Sequence, residues 1–167
     1  AKDFKFCPGA MYIHHGWIGG LLEHTLSVVK TCDGVQKVHP DLNRDLLIAG
    51  ALLHDFGKLQ EFEVRSDIKV TPKGTLVGHV TLSIEILNQR MDKLSTPDDL
   101  RMKLIHMILT HMGDYGSSKT PSFPEALVLN QCDLLDWKLA HMKGIIEDAR
   151  TDEENIYSKH VGWVYLK

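Results

Sequence analysis

The sequence predicts an all-α bundle of five to six main helices, and three observations predict it. Apolar residues recur at three- and four-residue spacing along most of the chain, and period-two alternation is scarce. Start and stop signals punctuate those stretches, notably Thr96-Pro97 before one and Gly57 and Gly113 after others. A composition of 43% hydrophobic and 25% charged residues sits near the soluble globular average, which argues against a disordered or fibrous chain.

The first helix is predicted from residue 15 or 16 to 32, with Leu21, Leu22, Thr25, Leu26 and Val29 inward and Asp33-Gly34 near its end. His39-Pro40 and an N-capping Asp41 open a second, which carries Leu42, Leu46, Ala49, Leu52 and Leu53 toward His54-Asp55 and stops at Gly57. Residues 59–74 are polar, broken by Pro72 and Gly74, and β-prone only around Ile68-Lys69-Val70, so they read as a loop or small hairpin. A third helix covers about residues 76–94. Thr96 as cap and Pro97 in the first turn, where a missing N–H costs nothing, start a fourth that runs to His111 or Met112. Residues 113–124 form a loop rich in Gly, Ser and Pro, and a fifth helix spans about 125–142. A short sixth helix is expected near 147–158, with the tail 162–166 returning as an extended segment. No internal repeat or domain-scale linker divides the chain, so residues 1–167 read as a single domain, long enough to bury roughly two-thirds of its unfolded surface.

Charge and cysteine usage narrow the function classes. No apolar run approaches the roughly 20 residues needed to cross a bilayer. The start, Ala1-Lys2-Asp3-Phe4, lacks an apolar secretory core, so a cytoplasmic setting without a membrane partner is expected. Cys7, Cys32 and Cys132 are odd in number and far apart, which argues against a disulfide framework. A net charge of -3 offers no global attraction for a polyanion, so tight binding of long nucleic acid would need a local basic patch or another domain.

The ten histidines are the outlying feature, and their positions carry the functional argument. His54-Asp55 closes an apolar helix. Adjacent side chains there point about 100° apart, so they can grip one ion only where the helix end opens on a shared cavity. A His-Asp pair is by itself common. The signal sharpens because His24, His79, His111 and Asp133 each fall on or beside the apolar face of a different helix. Leu100, Leu104, Ile108 and His111 form one inward stripe, and Ala126, Leu129, Asp133, Trp137 and Ala140 another. An unpaired buried carboxylate is costly, so Asp133 demands a cation or a strong hydrogen-bond partner; Lys138 and Arg101 are the bland alternatives. Four helices would then aim imidazole and carboxylate at one interior, as metal sites in bundles do. Imidazole suits transition metals and carboxylate can bridge two ions, with Asp55 the natural bridge; such a pair serves phosphoryl displacement by activated water.

In the order His24, His54-Asp55, His79, His111, Asp133, the sequence resembles the HD superfamily of metal-dependent phosphohydrolases. The closer similarity is to the HD domain of YhaM-like 3′-5′ exoribonucleases. It is carried by Ile13-His14-His15, Gly19-Gly20-Leu21-Leu22-Glu23-His24-Thr25, Asn43-Arg44-Asp45-Leu46-Leu47, Leu53-His54-Asp55-Phe56-Gly57-Lys58, Gly78-His79, His106, Ile108-Leu109-Thr110-His111, Glu125-Ala126-Leu127 and Asp133 through Asp136. The resemblance implies His24, His54, Asp55 and Asp133 around a first divalent ion, and Asp55, His79 and His111 around a second. It implies Lys58 as a phosphate-binding and catalytic partner of Asp55, His14 and His15 as substrate contacts or a brace for the first helix, and His106 in support of the ligands. His39, His141 and His160 read as surface residues. Met112 stands where the family often has a second histidine, which weakens the second ion's site.

The implied activity is hydrolysis of a phosphate ester of a nucleotide or short RNA by metal-activated water. One or two ions of manganese, iron, nickel, cobalt or zinc would serve as cofactors, and the partner would be an oligonucleotide-binding domain absent from this chain. A non-catalytic metal-stabilised binding domain and an HD-fold di-iron oxygenase are the alternatives.

Overall fold

The computed structural model describes residues 2–11, 16–65, 67–113 and 119–167. The described chain runs α1 (Lys2–Phe6), α2 (Gly20–Val38), α3 (Arg44–Leu53), α4 (Lys58–Glu61), β1 (Phe62–Val64), β2 (Ile68–Val70), α5 (Pro72–Leu76), α6 (Gly78–Lys93), α7 (Asp98–Thr110), α8 (Pro124–Asp148), β3 (Asn155–Ser158) and β4 (Gly162–Tyr165). It is a helical bundle, as the periodicity predicts. The long helices α2, α3, α6, α7 and α8 enclose a core of Val28, Cys32, Leu46, Leu47, Ala51, Leu87, Met91, Leu104, Met107, Ile108, Ala126 and Leu129. No described helix is long and apolar enough to cross a membrane. All three cysteines are free and buried.

Local chemistry explains the ends that position the site. Asn43, rather than Asp41, caps α3: its side chain accepts a hydrogen bond from the Leu46 N–H, satisfying a donor that has no partner within the helix. Thr71 caps α5 in the same way, accepting from Gly74 N, with Pro72 in the first turn. At α7, Pro97 holds the cap position without a side-chain bond, so Thr96 is not the cap. The polar segment 59–74 folds as a two-stranded hairpin in the register Phe62↔Val70 and Val64↔Ile68, flanked by the single turns α4 and α5.

Three further expectations are corrected. α2 continues through Asp33-Gly34 to Val38, because Val35 packs on the core and one exposed helical glycine costs only about 1 kcal/mol. Leu22, Leu26 and Leu52 are 40%, 49% and 50% exposed, whereas Val28, Leu47 and Ala51 are buried, so the inward stripes of α2 and α3 are rotated from those predicted. No helix spans 147–158: α8 extends to Asp148, and β3 pairs with β4 in the register Ile156↔Val164. Val164 seals that hairpin against the body at 1% exposure, so the tail returns as expected, but as a strand.

Candidate metal centre

His54 and His111 occupy equivalent places, each the C-cap of an apolar helix, α3 and α7 respectively. The last carbonyls of a helix lack intrahelical partners. Each imidazole uses one: His54 Nδ1–H donates to Ala51 O at 2.8 Å and His111 Nδ1–H to Ile108 O at 2.6 Å. That fixes the tautomer and leaves both Nε2 lone pairs facing inward. His24, in the second turn of α2, donates Nδ1–H to Asp136 Oδ2 at 2.7 Å, and Asp136 is held in turn by the Ser27 hydroxyl. His79, in the first turn of α6, sets Nδ1 3.2 Å from Glu61 Oε2. Four histidines from four helices thus turn Nδ1 outward to an acceptor and Nε2 into one space, the arrangement that orients imidazole ligands of metals.

Two carboxylates complete the space. His24 Nε2 lies 3.1 Å from Asp133 Oδ1 and 3.2 Å from His54 Nε2, and Asp133 Oδ1 lies 3.8 Å from His54 Nε2. Asp55 sits between two groups: its Oδ2 is 3.5 Å from His24 Nε2 and 3.4 Å from His54 Nε2, and its Oδ1 is 3.5 Å from His79 Nε2 and 3.7 Å from His111 Nε2. His24, His54 and Asp133, and separately Asp55, His79 and His111, each bring ligand atoms close enough to share one ion. A divalent cation fits this donor set. Asp55 Oδ1, buried in a residue only 3% exposed, has no hydrogen-bond partner, and a buried anionic oxygen left that way is costly.

The electrostatics carry the same demand for positive charge. Burial opposes a charge on His24, yet the hydrogen bonds of Asp133 and Asp136 and the charges of Asp133 and Asp55 raise its pKa to about 9. Burial and the neighbouring His54 push His111 down to about 4. Burial also works against ionised Asp55, but Lys58 and His54 hold its carboxyl well below the usual range. The Lys58 ammonium contacts Asp55 Oδ2 at 2.7 Å and Gly9 O at 2.6 Å, and Asp55 overrides the burial that would discharge it.

His24, Asp55, Lys58, Glu61, His79, His111 and Asp133 line a cavity of about 390 Å³ together with Gly9, Ala10, Met11, Phe62, Met112, Leu134, Trp137 and His160. Five of the six predicted ligands and Lys58 line it, and the sixth, His54, is fully buried with its Nε2 3.2 Å from His24 Nε2. His106 does not join them among the described contacts: it accepts from Ser122 N at 3.0 Å and lies against Phe123, bracing the entry to α8. His14 and His15 lie outside the described residues. His160 and His141 are corrected from surface residues, since both contact Trp137 and His160 borders the cavity. Asp133 pairs with His24, while Arg101 is taken by Asp92. Glu61 has no prior signal in the sequence, and Asp136 is visible only as the carboxylate one turn after Asp133.

The HD domain family model matches residues 21–138. Among curated proteins, the 3′-5′ exoribonuclease YhaM of Listeria welshimeri is 35% identical over 90% of this chain and 49% of its own length, and that of Bacillus subtilis is 33% identical over the same shares. The chain therefore spans about half the length of the curated relatives it matches. No solved structure matches it. The matched span contains every one of the six clustered histidines and aspartates, and with it the chain belongs to the HD domain family.

Proposed function

We propose that the protein is a metal-dependent phosphohydrolase that cleaves a phosphate ester of a nucleotide or short RNA. The observation that carries this reading is Asp55, which divides its two oxygens between two imidazole groups and keeps Oδ1 without a donor in a buried site. In this reading His24, His54 and Asp133 would hold one ion, His79 and His111 a second, and Asp55 would serve both. The chemistry such a centre would supply when loaded is Lewis-acid polarisation of a phosphoryl group and activation of water near neutral pH. The protein's own contribution is positional: the hydrogen-bonded Nδ1 atoms of four histidines keep the ligand geometry in a cavity that Gly9, Ala10, Met11 and Phe62 also line. Lys58 keeps its proton and stands beside Asp55, where its ammonium can turn to a phosphate oxygen and offset developing charge.

The relatives' names give the substrate class its direction, because those proteins are called 3′-5′ exoribonucleases. A net charge of -3 favours short substrates for this chain by itself. The test is metal content of the purified protein by mass spectrometry together with hydrolysis of bis-p-nitrophenyl phosphate under manganese, nickel or iron. Metal retention with turnover, both lost in Asp55→Ala, is expected. Full activity in Asp55→Ala would reject the site, and iron retention with oxygen consumption but no ester hydrolysis would move the protein to oxygenase chemistry.

A further inference from the structure

We propose that Asn130 is a positioning residue for His111: its buried side-chain amide closes the end of α7 so that the imidazole keeps Nε2 turned into the centre. What the positioned nitrogen serves rests on the metal-dependent reading above. Asn130 is buried on a helix whose other buried positions are Ala126, Leu129 and Cys132. An amide among such neighbours is costly unless its N–H groups are hydrogen-bonded. Both are used, and on one neighbouring helix end. Nδ2 donates to Thr110 O at 3.0 Å and to His111 O at 2.8 Å, while Oδ1 accepts from Gln131 Nε2 at 2.7 Å, which fixes the way the amide points.

Those two bonds complete the end of α7. The last carbonyls of a helix have no partner within it, and here they belong to buried residues, out of reach of bulk water. Side chains serve them instead. His106 O accepts the Thr110 hydroxyl at 2.8 Å, Ile108 O accepts His111 Nδ1–H at 2.6 Å, and Thr110 O and His111 O accept Asn130. Ile108 O is also the carbonyl that a continuing helix would give to the Met112 N–H, so the ring competes with the backbone for it. By holding the carbonyls that follow, Asn130 ends the helix and leaves Ile108 O to the imidazole. The chain then turns through Gly113 at φ +56°, a conformation suited to glycine, and a Cβ there would stand 2.8 Å from Asn130 Nδ2. The matching histidine on α3 is held alike, since the buried Ser83 of α6 donates to His54 O at 3.2 Å. Asn130 also lies three residues before Asp133 on α8. One helix thus supplies a carboxylate to one group of ligands directly and sets an imidazole of the other group through hydrogen bonds.

The test reads the ring nitrogens of His111 and His54 by nitrogen-15 NMR in chelator-treated protein, with manganese calorimetry beside it. In the parent both rings are expected to carry their proton on Nδ1. In Asn130→Ala, His111 should lose that signature and share its proton between both nitrogens, while His54 keeps it. Manganese should bind about tenfold more weakly, or worse, at the position of Asp55, His79 and His111, with the other position as in the parent. Leu129→Ala opens the core one residue away and should leave the His111 signature intact, which separates positioning from lost stability. An unchanged His111 in folded Asn130→Ala, or a change shared by His54 or by Leu129→Ala, overturns the proposal. Should Asn130→Ala not fold, Gly113→Ala drives a Cβ against Nδ2 with Asn130 in place. The same loss at His111 alone is expected there, and no change overturns the assignment. A parent that binds no manganese would end the metal reading, whereas the role of Asn130 is still decided by the metal-free spectra.

Discussion

Each imidazole in the centre depends on what holds its far nitrogen, and that dependence can be measured one residue at a time. Asp136 fixes His24 through a 2.7 Å bond to Nδ1. Removing its charge in Asp136→Asn is expected to weaken manganese binding about 10- to 100-fold, the usual cost of losing a carboxylate behind a ligating histidine. Asp33→Asn is the control, because Asp33 is occupied with Lys37 and Arg44 and should leave the metal affinity as it was. Titration calorimetry distinguishes the two, and equal affinities would show that Asp136 does not orient His24. Lys58 belongs to the substrate rather than to the ions in this scheme. Lys58→Ala should therefore retain metal while ester hydrolysis falls about 100-fold, as for a lost charge-stabilising donor; loss of metal from that variant would contradict the division of labour. The ligands themselves were legible because a carboxylate or imidazole inside an apolar stripe is an anomaly that has to be explained. Their supports were not legible. His54 and His111 lean on backbone carbonyls that any residue would offer, Glu61 reaches His79 from 18 residues away, and Asp136 meets His24 across 112 residues.

Among the helices, glycines mark where packing and propensity part company. Gly57 is in an ordinary right-handed conformation, so its need for glycine is one of space: a Cβ there would stand 2.0 Å from His79 O and 2.5 Å from Ser83 N. Its N–H donates to Ser83 Oγ at 2.7 Å, and Ser83 Oγ donates to His54 O at 3.2 Å, which clamps α6 onto the turn bearing Asp55. Gly57→Ala must push α6 away and carry His79 with it. A loss of about 1–3 kcal/mol in stability is expected from the overpacking, together with weakened binding of the second ion; an unchanged urea midpoint would refute the close-approach argument. Gly34 and Gly144 are the opposite case, since a Cβ at either meets nothing within 4 Å and both lie inside helices. Gly34→Ala and Gly144→Ala should each stabilise by about 0.5–1 kcal/mol, seen as a higher denaturant midpoint with the slope unchanged. The same balance explains which elements could be read in advance. Long amphipathic stretches such as α6 and α7 announce themselves by their period. Residues 155–158 did not, because a four-residue run whose inward positions are Ile156 and the polar Ser158 has too short an apolar pattern to distinguish helix from strand until its partner across Gly162 is known.

For the molecule as a whole, the centre is a stability problem as well as a chemical one. Folding carries Asp55, Asp133, His24, His54 and His111 into the interior, with His54 fully buried. Ions are not free to stay behind in water at such a site, so the protein without metal must rely on Lys58 and on a proton at His24 to offset the carboxylates. The unfolded chain scatters these ligands from residue 24 to residue 133 and cannot assemble the site. A metal held there would therefore bind the folded state selectively, and selective binding is stabilisation by mass action. With manganese at about 100 times its dissociation constant the gain should be about 2.7 kcal/mol, which for a chain of this size raises the melting temperature by about 5–10 °C. Asp55→Ala should melt at one temperature whether manganese or chelator is present, because both ion positions lose the carboxylate they share. Scanning calorimetry on the two proteins across a manganese series decides the matter. A parallel rise in Asp55→Ala would place the stabilising ion elsewhere on the molecule, and no rise in the parent would mean that the clustered histidines and aspartates satisfy one another without a cation.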